Sequence, residues 1–321
     1  MFVVRPAQAA RDLLFLPRED FGPDSRHPYL AVDLADLAPE TASDLAKLPC
    51  PVIGVGEGPA GDLLDLVVPR PADGEALARN ISAAPFAAMV LVQCLRASAG
   101  LALDAALTVE SLAFATLQSG PEFRGWLDGR ATVRQAPQGS TPAVLSSRDG
   151  EELRITLDRP STLNAVDVEM RDLLSQALDL ALADPTIQRV VLAGSGRCFS
   201  VGGDVDEFGT ASDPTRAHWV RSLRGPASRL LRLGDRLTAR VQGAAIGAGL
   251  EMAAFARCVV ASPDAWFQLP ELQYGLIPGA GGTVSVTARV GRQKLAWMAL
   301  SMRRVNARTA LDWGLIDEIE G

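Results

Sequence analysis

Two glutamates twenty residues apart, each beside a glycine-rich turn, are the residues of this chain best suited to chemistry. Glu251 ends the segment AIGAGLE at 245–251, and Glu271 precedes the segment GLIPGAGG at 275–282. A third glycine-bearing turn, CFSVGGD, lies upstream at 198–204. Carboxylates transfer protons, and backbone N–H groups exposed at turns of small residues stabilise a developing oxyanion. The combination predicts an enzyme that acts on a carbonyl compound.

The composition excludes several other classes of protein. A net charge of -7 and a pI near 5.0, without any Lys/Arg cluster, argue against a nucleic-acid partner. No apolar run approaches the roughly 18 residues of a membrane span, and the first residues lack the charged-then-apolar plan of a secretory signal. The four cysteines are scattered without metal-ligand or disulfide spacing. We therefore expect a cytoplasmic protein with free thiols and no membrane or nucleic-acid partner.

The histidines and one glycine motif do not point to other chemistry. The chain has only two histidines, His27 and His218, and neither sits in a zinc motif or accompanies a G-x-S-x-G serine. The segment GEGPAG at 56–61 matches a dinucleotide-binding pattern, but the next strand candidate follows too soon for the required helix. We therefore predict no metal site, no serine hydrolase, and a plain loop at 56–61.

Strand and helix patterns alternate in the second half of the chain. Residues 167–182 carry apolar side chains at the helical period. A polar helical stretch at 214–233 is interrupted at Pro226, which does not fit inside a straight helix. The other candidates are strands at 153–157, 190–192, 237–241, 258–260 and from 315, and helices at 249–255 and 307–313, the last capped by Asn306 and ended by Gly314. This alternation predicts an α/β fold with largely parallel strands.

The first half shows different patterns. Residues 29–32 and 51–53 are strand candidates around a helix at 39–48, and residues 74–128 are purely helical in pattern. A stretch rich in Pro, Gly, Ser and Gln at 135–142 predicts a linker. The predicted segments are a shortened, degenerate α/β segment at 1–75, a helical module at 76–134, a linker at 135–147 and a catalytic core at 148–321.

Residues 148–319 resemble the crotonase (enoyl-CoA hydratase/isomerase) superfamily along nearly their whole length. Each matching string is weak evidence alone, whereas their common order and spacing are specific. The strings are DRPSTLNA at 158–165, CFSVGGD at 198–204, GAGLE at 247–251, LPE at 269–271, GLIPGAGG at 275–282 and the segment 307–317. The resemblance implies an α/β core built as a spiral of ββα turns, here with an added helical module.

The resemblance also implies a site for an acyl-CoA thioester. The thioester oxygen would lie between the backbone N–H groups of Gly203 and Ala248; relatives often have glycine at the second position, but any non-proline residue supplies an N–H. Glu251 would deprotonate the water that attacks the β-carbon, and Glu271 would protonate the α-carbon. Apolar surroundings would have to raise the pKa of Glu271 for it to stay protonated. The candidate neighbours are Leu269, Leu272 and Ile277.

Members with both glutamates resemble hydratases, because water addition needs two proton-handling groups, whereas family isomerases generally need one base. The expected function is hydration of 2-enoyl-CoA to 3-hydroxyacyl-CoA without a cofactor or metal. A crotonase-type isomerase, hydrolase or decarboxylase stays open, as does a non-catalytic partner subunit. By resemblance, the assembly would be a homotrimer or a dimer of trimers.

The chain departs from the family pattern at its end. It stops at Gly321, where relatives usually continue with a helical region, and residues 76–128 resemble that region. We therefore expect a permuted or partly duplicated arrangement, with the helical module before the core. We expect residues 208–233 to set the choice of acyl chain. The candidates for contacts to CoA phosphates are Arg159, Arg197 and Arg292.

Overall fold

The computed structural model describes residues 2–130, 141–211 and 213–320. Its strands are β1 Val4–Arg5, β2 Leu30–Asp33, β3 Val52–Val55, β4 Leu66–Val68, β5 Val144–Asp149, β6 Glu152–Leu157, β7 Arg189–Gly194, β8 Leu237–Val241, β9 Ala244–Ile246, β10 Cys258–Ala261, β11 Trp266–Gln268, β12 Val305–Asn306 and β13 Glu318–Ile319. Its α-helices are α1 Ala7–Asp12, α2 Pro39–Leu45, α3 Pro71–Ala83, α4 Pro85–Ser98, α5 Leu103–Gln118, α6 Pro121–Asp128, α7 Val168–Ala183, α8 Pro214–Arg224, α9 Ala227–Leu233, α10 Ala248–Ala253, α11 Gly282–Val290, α12 Arg292–Ser301 and α13 Ala307–Trp313.

The first strands form a separate parallel sheet in the order β1-β2-β3-β4. Every residue of β3 is buried, as are the first three of β2, which agrees with apolar strands covered on both faces. The segment at 56–61 follows β3 as a loop, as predicted. It leads into the short 3₁₀ helix Gly61–Leu63. Together with α1 and α2, this small sheet forms the α/β part of the N-terminal segment.

Four helices, α3 to α6, follow the small sheet. Pro71, Pro85 and Pro121 begin α3, α4 and α6, where the missing N–H costs no intrahelical hydrogen bond. Within the described residues no single helix is long and apolar enough to cross a membrane; α3 and α4 pass that test only as a pair, bent by 108°. Their apolar faces are buried against the rest of the chain.

The core consists of a six-stranded sheet and a three-stranded sheet, and strands β8 to β11 alternate between the two. The larger sheet has the order β13-β10-β8-β7-β6-β5 and is parallel except for β5. The smaller sheet has the order β12-β11-β9, with β11 parallel to β9. The chain therefore places β8 and β10 in one sheet and β9 and β11 in the other. Helices α10 and α11 follow these pairs, which is the expected ββα spiral.

Local signals predicted most element boundaries of the core. Helix α7 starts after Asp167, whose side chain accepts from Met170 N, and α8 and α9 are separated at Pro226. Asn306 caps α13 and Gly314 ends it in the left-handed conformation. The last strand begins at Glu318 rather than at 315, because the intervening residues leave the helix.

The predicted linker overlaps a strand. Strand β5 begins at Val144, inside the segment 135–147, and pairs antiparallel with β6 over its whole length. Residues 131–140 lie outside the described residues. The pairing adds the sixth strand to the larger sheet, so residues 144–147 belong to the core.

The helical module packs directly on the core. Asn80 on α3 donates from Nδ2 to the carbonyl oxygens of Leu300 (2.9 Å) and Ser301 (3.0 Å), at the end of α12. The last carbonyls of a helix have no intrahelical partner, so this amide satisfies two of them. Gln293 on α12 donates to Gly61 and Leu64 of the N-terminal segment. The helical module and the N-terminal segment therefore each form hydrogen bonds with α12 of the core.

We expect Asn80→Ala to lower the free energy of unfolding by about 1–2 kcal/mol, because two partly buried carbonyls lose their donor. Gln93→Ala is the matched control, since Gln93 donates to Pro49 O at 3.3 Å through an exposed bond. Urea unfolding of both variants measures the difference. Equal small losses would show that the bond between α3 and α12 adds nothing to stability.

Candidate active site

The first backbone donor lies at the start of α10. Strand β9 ends at Ile246, and Gly247 reverses the chain with φ 48° and ψ -124°, a conformation that favours glycine. A Cβ on Gly247 would lie 2.6 Å from Oε1 of Glu271. Ala248 then begins the helix, and its N–H donates to no other described residue. This turn brings the N–H of Ala248 to the edge of a cavity beside Glu271.

The second donor lies on the loop after β7, which runs beside β9. Ser200 N donates to Ala244 O (3.1 Å), and Ile246 N donates to Ser200 O (3.0 Å). On the other side, Val166 bonds to Gly202 O and Asp204 N. In parallel pairing this pattern turns the N–H of the intervening Gly203 away from Val166. Gly203 lines the same cavity as Ala248, and its N–H also has no partner among the described residues.

Glu251 is fixed by the turn that begins α11. It lies on α10, is 2% exposed, and its Oε2 accepts from Ala280 N (2.7 Å) and Gly282 N (2.8 Å). Burial and the charges of Glu271 and Glu110 raise the pKa of Glu251, while the two N–H bonds lower it. Its Oε1 accepts no hydrogen bond from the described residues.

Glu271 is held differently: among the described residues, its own backbone N–H is the only donor that acts on its carboxyl group. It begins a short 3₁₀ helix, Glu271–Tyr274, directly after Pro270, and its Oε2 is buried without a hydrogen-bond partner. Burial, with a smaller effect of the Glu110 charge, raises the pKa of Glu271 to about 8. The three apolar residues expected around it, Leu269, Leu272 and Ile277, are all buried. This carboxyl group therefore has the environment of a proton donor at neutral pH.

One cavity of about 170 Å³ brings the four predicted residues together. Its lining includes Gly203, Ala248, Glu251 and Glu271. Apolar and aromatic side chains form much of the remaining wall, namely Phe114, Phe208, Tyr274 and Leu276. Two N–H donors and two carboxyl groups thus face one small, largely apolar space, an arrangement suited to polarising a carbonyl and moving protons beside it.

Sequence reasoning missed a third buried glutamate, Glu110 on α5 of the helical module. It is 2% exposed; its Oε1 accepts from Gly281 N (2.7 Å), and its Oε2 accepts from Thr283 N (2.8 Å) and Thr283 Oγ1 (2.7 Å). Glu251 and Glu110 therefore bind alternate N–H groups of residues 280–283. Burial raises the pKa of Glu110 to about 7. An acidic residue within a buried helical stripe was the only signal in the sequence.

The three arginines proposed for CoA phosphates do not line this cavity. Arg159 is buried and donates to Glu169 Oε2 (2.8 Å) and Thr141 O. Arg292 donates to Asp62 O (2.6 Å), which connects α12 to the N-terminal segment. Arg197 is exposed on the turn before Cys198. Two of the three guanidinium groups, those of Arg159 and Arg292, therefore already donate to partners within the described residues.

Asp204, Cys198 and His218 make structural contacts. Asp204 accepts from Asp206 N (2.9 Å) and so caps its own loop. Cys198 is buried and its Sγ lies 3.5 Å from Leu163 O, while burial raises its pKa, which disfavours the reactive thiolate. His218 contacts Ser111 Oγ through Nδ1 at 2.8 Å.

Comparisons with known proteins identify the family to which the second half of the chain is similar. A family model described as enoyl-CoA hydratase/isomerase matches residues 151–320, after the helical module. The chain is similar to 2,3-dehydroadipyl-CoA hydratase of Escherichia coli (strain K12), with 33% identity over 182 residues, 55% of this chain and 68% of that protein. It is similar to mitochondrial enoyl-CoA hydratase of Pongo abelii, with 33% identity over 171 residues, 51% of this chain and 56% of that protein.

A solved structure shows the same relation. The crystal structure of enoyl-CoA hydratase from Thermoplasma volcanium GSS1 matches with a TM-score of 0.52 and 33% identity, covering 56% of this chain and 72% of that one. The match to the mitochondrial protein spans little more than half of its length. The activity and substrates of the whole protein are therefore matters for proposal.

We expect Glu110→Ala to lower the free energy of unfolding by about 3 kcal/mol, because it leaves buried donors of Gly281 and Thr283 without an acceptor. Glu122→Ala is the matched control. Glu122 accepts from Phe86 N and Ala87 N at the start of α4 but is only half-buried, so its loss should cost about 1 kcal/mol. Chemical denaturation measures both; equal losses would contradict the role assigned to Glu110.

Proposed function

Because the chain belongs to the enoyl-CoA hydratase/isomerase family, we propose that it adds water to the double bond of 2-enoyl-CoA thioesters to give 3-hydroxyacyl-CoA. The observation that carries the proposal is that one cavity is lined by two buried carboxyl groups and by two residues whose N–H groups have no partner within the described part of the chain. Relatives named as hydratases support acyl-CoA hydration in general.

In this proposal the N–H groups of Gly203 and Ala248 bind the thioester oxygen. Attack of water on C3 moves the π electrons of the double bond onto that oxygen, so negative charge grows where the two donors point. Hydrogen bonds that strengthen as charge develops lower the barrier, and one such donor is worth about 3–4 kcal/mol. The apolar wall excludes competing water, which strengthens the same bonds.

The two carboxyl groups then divide the proton transfers. Burial and mutual repulsion oppose ionisation of both at once. Two N–H groups donate to Glu251 Oε2, whereas Glu271 Oε2 has no donor, so the hydrogen-bond geometry favours the charge on Glu251. Glu251 takes the proton of the attacking water as the C3–O bond forms. Glu271, whose Oε2 has no donor, gives its proton to C2 as the enolate collapses. Proton exchange between the pair and solvent restores the starting state.

The retention of two buried carboxyl groups favours hydration over isomerisation, which needs one base. Crotonyl-CoA and longer 2-enoyl-CoA thioesters test this choice through loss of the conjugated absorbance. Turnover of a 3-enoyl or branched thioester, with none on any 2-enoyl chain, would contradict hydration. A non-catalytic subunit would turn over neither and would lose nothing when the glutamates are changed.

We expect Glu251→Gln and Glu271→Gln each to lower kcat by about 10²–10⁴-fold, because each removes one proton-transfer group while keeping its shape. In the unchanged protein, kcat should fall as pH rises through about 8, where the pair around Glu271 loses its proton. That alkaline limb should disappear in Glu271→Gln. Steady-state rates across pH 6–10 measure both effects, and an unaltered profile in the variant would contradict the acid role.

We expect Ala248→Pro to lower kcat by about 10²–10³-fold without a comparable loss of stability. Proline removes the N–H at the first position of α10, where a helix tolerates it. Ala248→Gly is the matched control, since glycine keeps the N–H and should keep most of the activity. Similar activity in the two variants would show that this N–H does not bind the substrate oxygen.

A further inference from the structure

Arg221 on α8 lines the cavity that contains Glu251 and Glu271. It also lines the two cavities that adjoin it, one beside α5 and one beside the loop at 204–211. Its side chain therefore lies where the space around the two glutamates opens toward the rest of the molecule. It belongs to the stretch 208–233, which the sequence indicated as the determinant of acyl-chain choice.

Neutral groups hold this guanidinium in place. Its Nε donates to Ser111 Oγ (3.0 Å), and its Nη2 donates to Ser111 O (3.3 Å) and Gln118 Oε1 (3.5 Å). The guanidinium carbon lies 4.6 Å from the centroid of the Phe114 ring. All three partners belong to α5, so the helical module orients the arginine. This planar group is fixed by stacking on Phe114 and by the bonds from Nε and Nη2, and it is therefore pre-organised to bind a ligand through Nη1.

The positive charge of Arg221 has no direct counter-ion among the described residues. No carboxylate of the described residues lies within 4.0 Å of its guanidinium, and Nη1 has no hydrogen-bond partner there. Glu110 is the nearby negative charge that acts on it, but both Glu110 oxygens already accept from the start of α11. Burial lowers the pKa of Arg221 to about 10, which leaves it charged at neutral pH. A desolvated cation without a paired anion is costly.

We propose that Arg221 binds a carboxylate at the far end of the acyl chain, so that the preferred substrates are enoyl-CoA thioesters of dicarboxylic acids. The inference rests on the proposed function for the position of the thioester. With the thioester oxygen at Gly203 and Ala248, the acyl chain starts in the cavity that Arg221 lines. A carboxylate there supplies the missing counter-ion and accepts a charge-assisted hydrogen bond from Nη1. A neutral chain leaves the cation unpaired, which disfavours it.

The phosphates of CoA are the other anions of such a substrate. The pantetheine arm separates them from the thioester by more than the width of a cavity of about 170 Å³. A phosphate could therefore reach Arg221 only through one of the two adjoining cavities, and binding of CoA alone tests that outcome. The acyl carboxylate is the anion that this position fits.

The test compares binding of saturated thioesters, which cannot react, in pairs of equal chain length. The pairs are succinyl-CoA with butyryl-CoA, glutaryl-CoA with pentanoyl-CoA, and adipyl-CoA with hexanoyl-CoA, with CoA alone as reference. Calorimetry should give a Kd roughly tenfold to hundredfold lower for the carboxylate member of at least one pair. Arg221→Gln should abolish that preference. Arg224→Gln is the matched control, because Arg224 lies on the same helix, exposed and paired with Asp172 at 3.2 Å, and it should keep the preference.

Several results would overturn the proposal. Equal affinities within every pair would remove the subsite, and an equal loss for both members in Arg221→Gln would give Arg221 a structural role only. Weaker binding of CoA alone in that variant would identify a phosphate contact instead. If Arg221→Gln does not fold, Arg221→Lys replaces it and should weaken the preference without abolishing it, since lysine keeps the charge but not the fork.

The same measurements separate this inference from the proposed function. Rates with the matching 2-enoyl thioesters should show the carboxylate preference in kcat/KM, lost in Arg221→Gln through KM more than through kcat. An Arg221-dependent preference in binding without hydration of any 2-enoyl thioester would support the subsite and contradict hydration. Hydration with no preference in binding or rate would leave the proposed function and overturn the subsite.

Discussion

The start of α11 is the constraint on which the site depends. Four consecutive N–H groups, at residues 280–283, meet two buried carboxylates in alternation: Glu251 binds the first and third, and Glu110 the second and fourth. The first N–H groups of a helix need partners from outside it, and anions are favoured there. One glutamate belongs to the core and the other to the helical module. The same turn therefore positions the proposed base and joins two parts of the chain.

This arrangement concentrates charge in an apolar interior. Glu110, Glu251 and Glu271 are all buried, and each negative charge makes the next harder to form. N–H donors support the first two, whereas Glu271 has none at Oε2. In the proposed mechanism the proton is therefore on Glu271 and the charge on Glu251. Arg221 offsets part of this negative field and has no carboxylate partner within 4.0 Å among the described residues.

The helical module is a wall of the cavity, although the family match begins only at residue 151. Phe114 on α5 lines it, and Trp126 on α6 packs edge-on against Tyr274 (4.9 Å between centroids) and Phe208 (6.0 Å). Packing and hydrogen bonds act between surfaces and do not depend on the order in which the chain presents them. A module that precedes the core can therefore serve the site as well as one that follows it.

The sequence alone determined the features that depend on residues close together along the chain. The break at Pro226, the cap at Asn306 and the glycine at 247 each follow from the backbone limits of a single residue, and the ordered motifs placed both site glutamates. Tertiary structure decided the rest. Glu110 reaches Gly281 across 171 residues, and Arg221 reaches Ser111 across 110. Arg159 and Arg292, two of the arginines predicted as phosphate contacts, donate to Glu169 and to Asp62 O in distant parts of the chain. Such partners are set by how distant surfaces meet, which no local pattern of residues encodes.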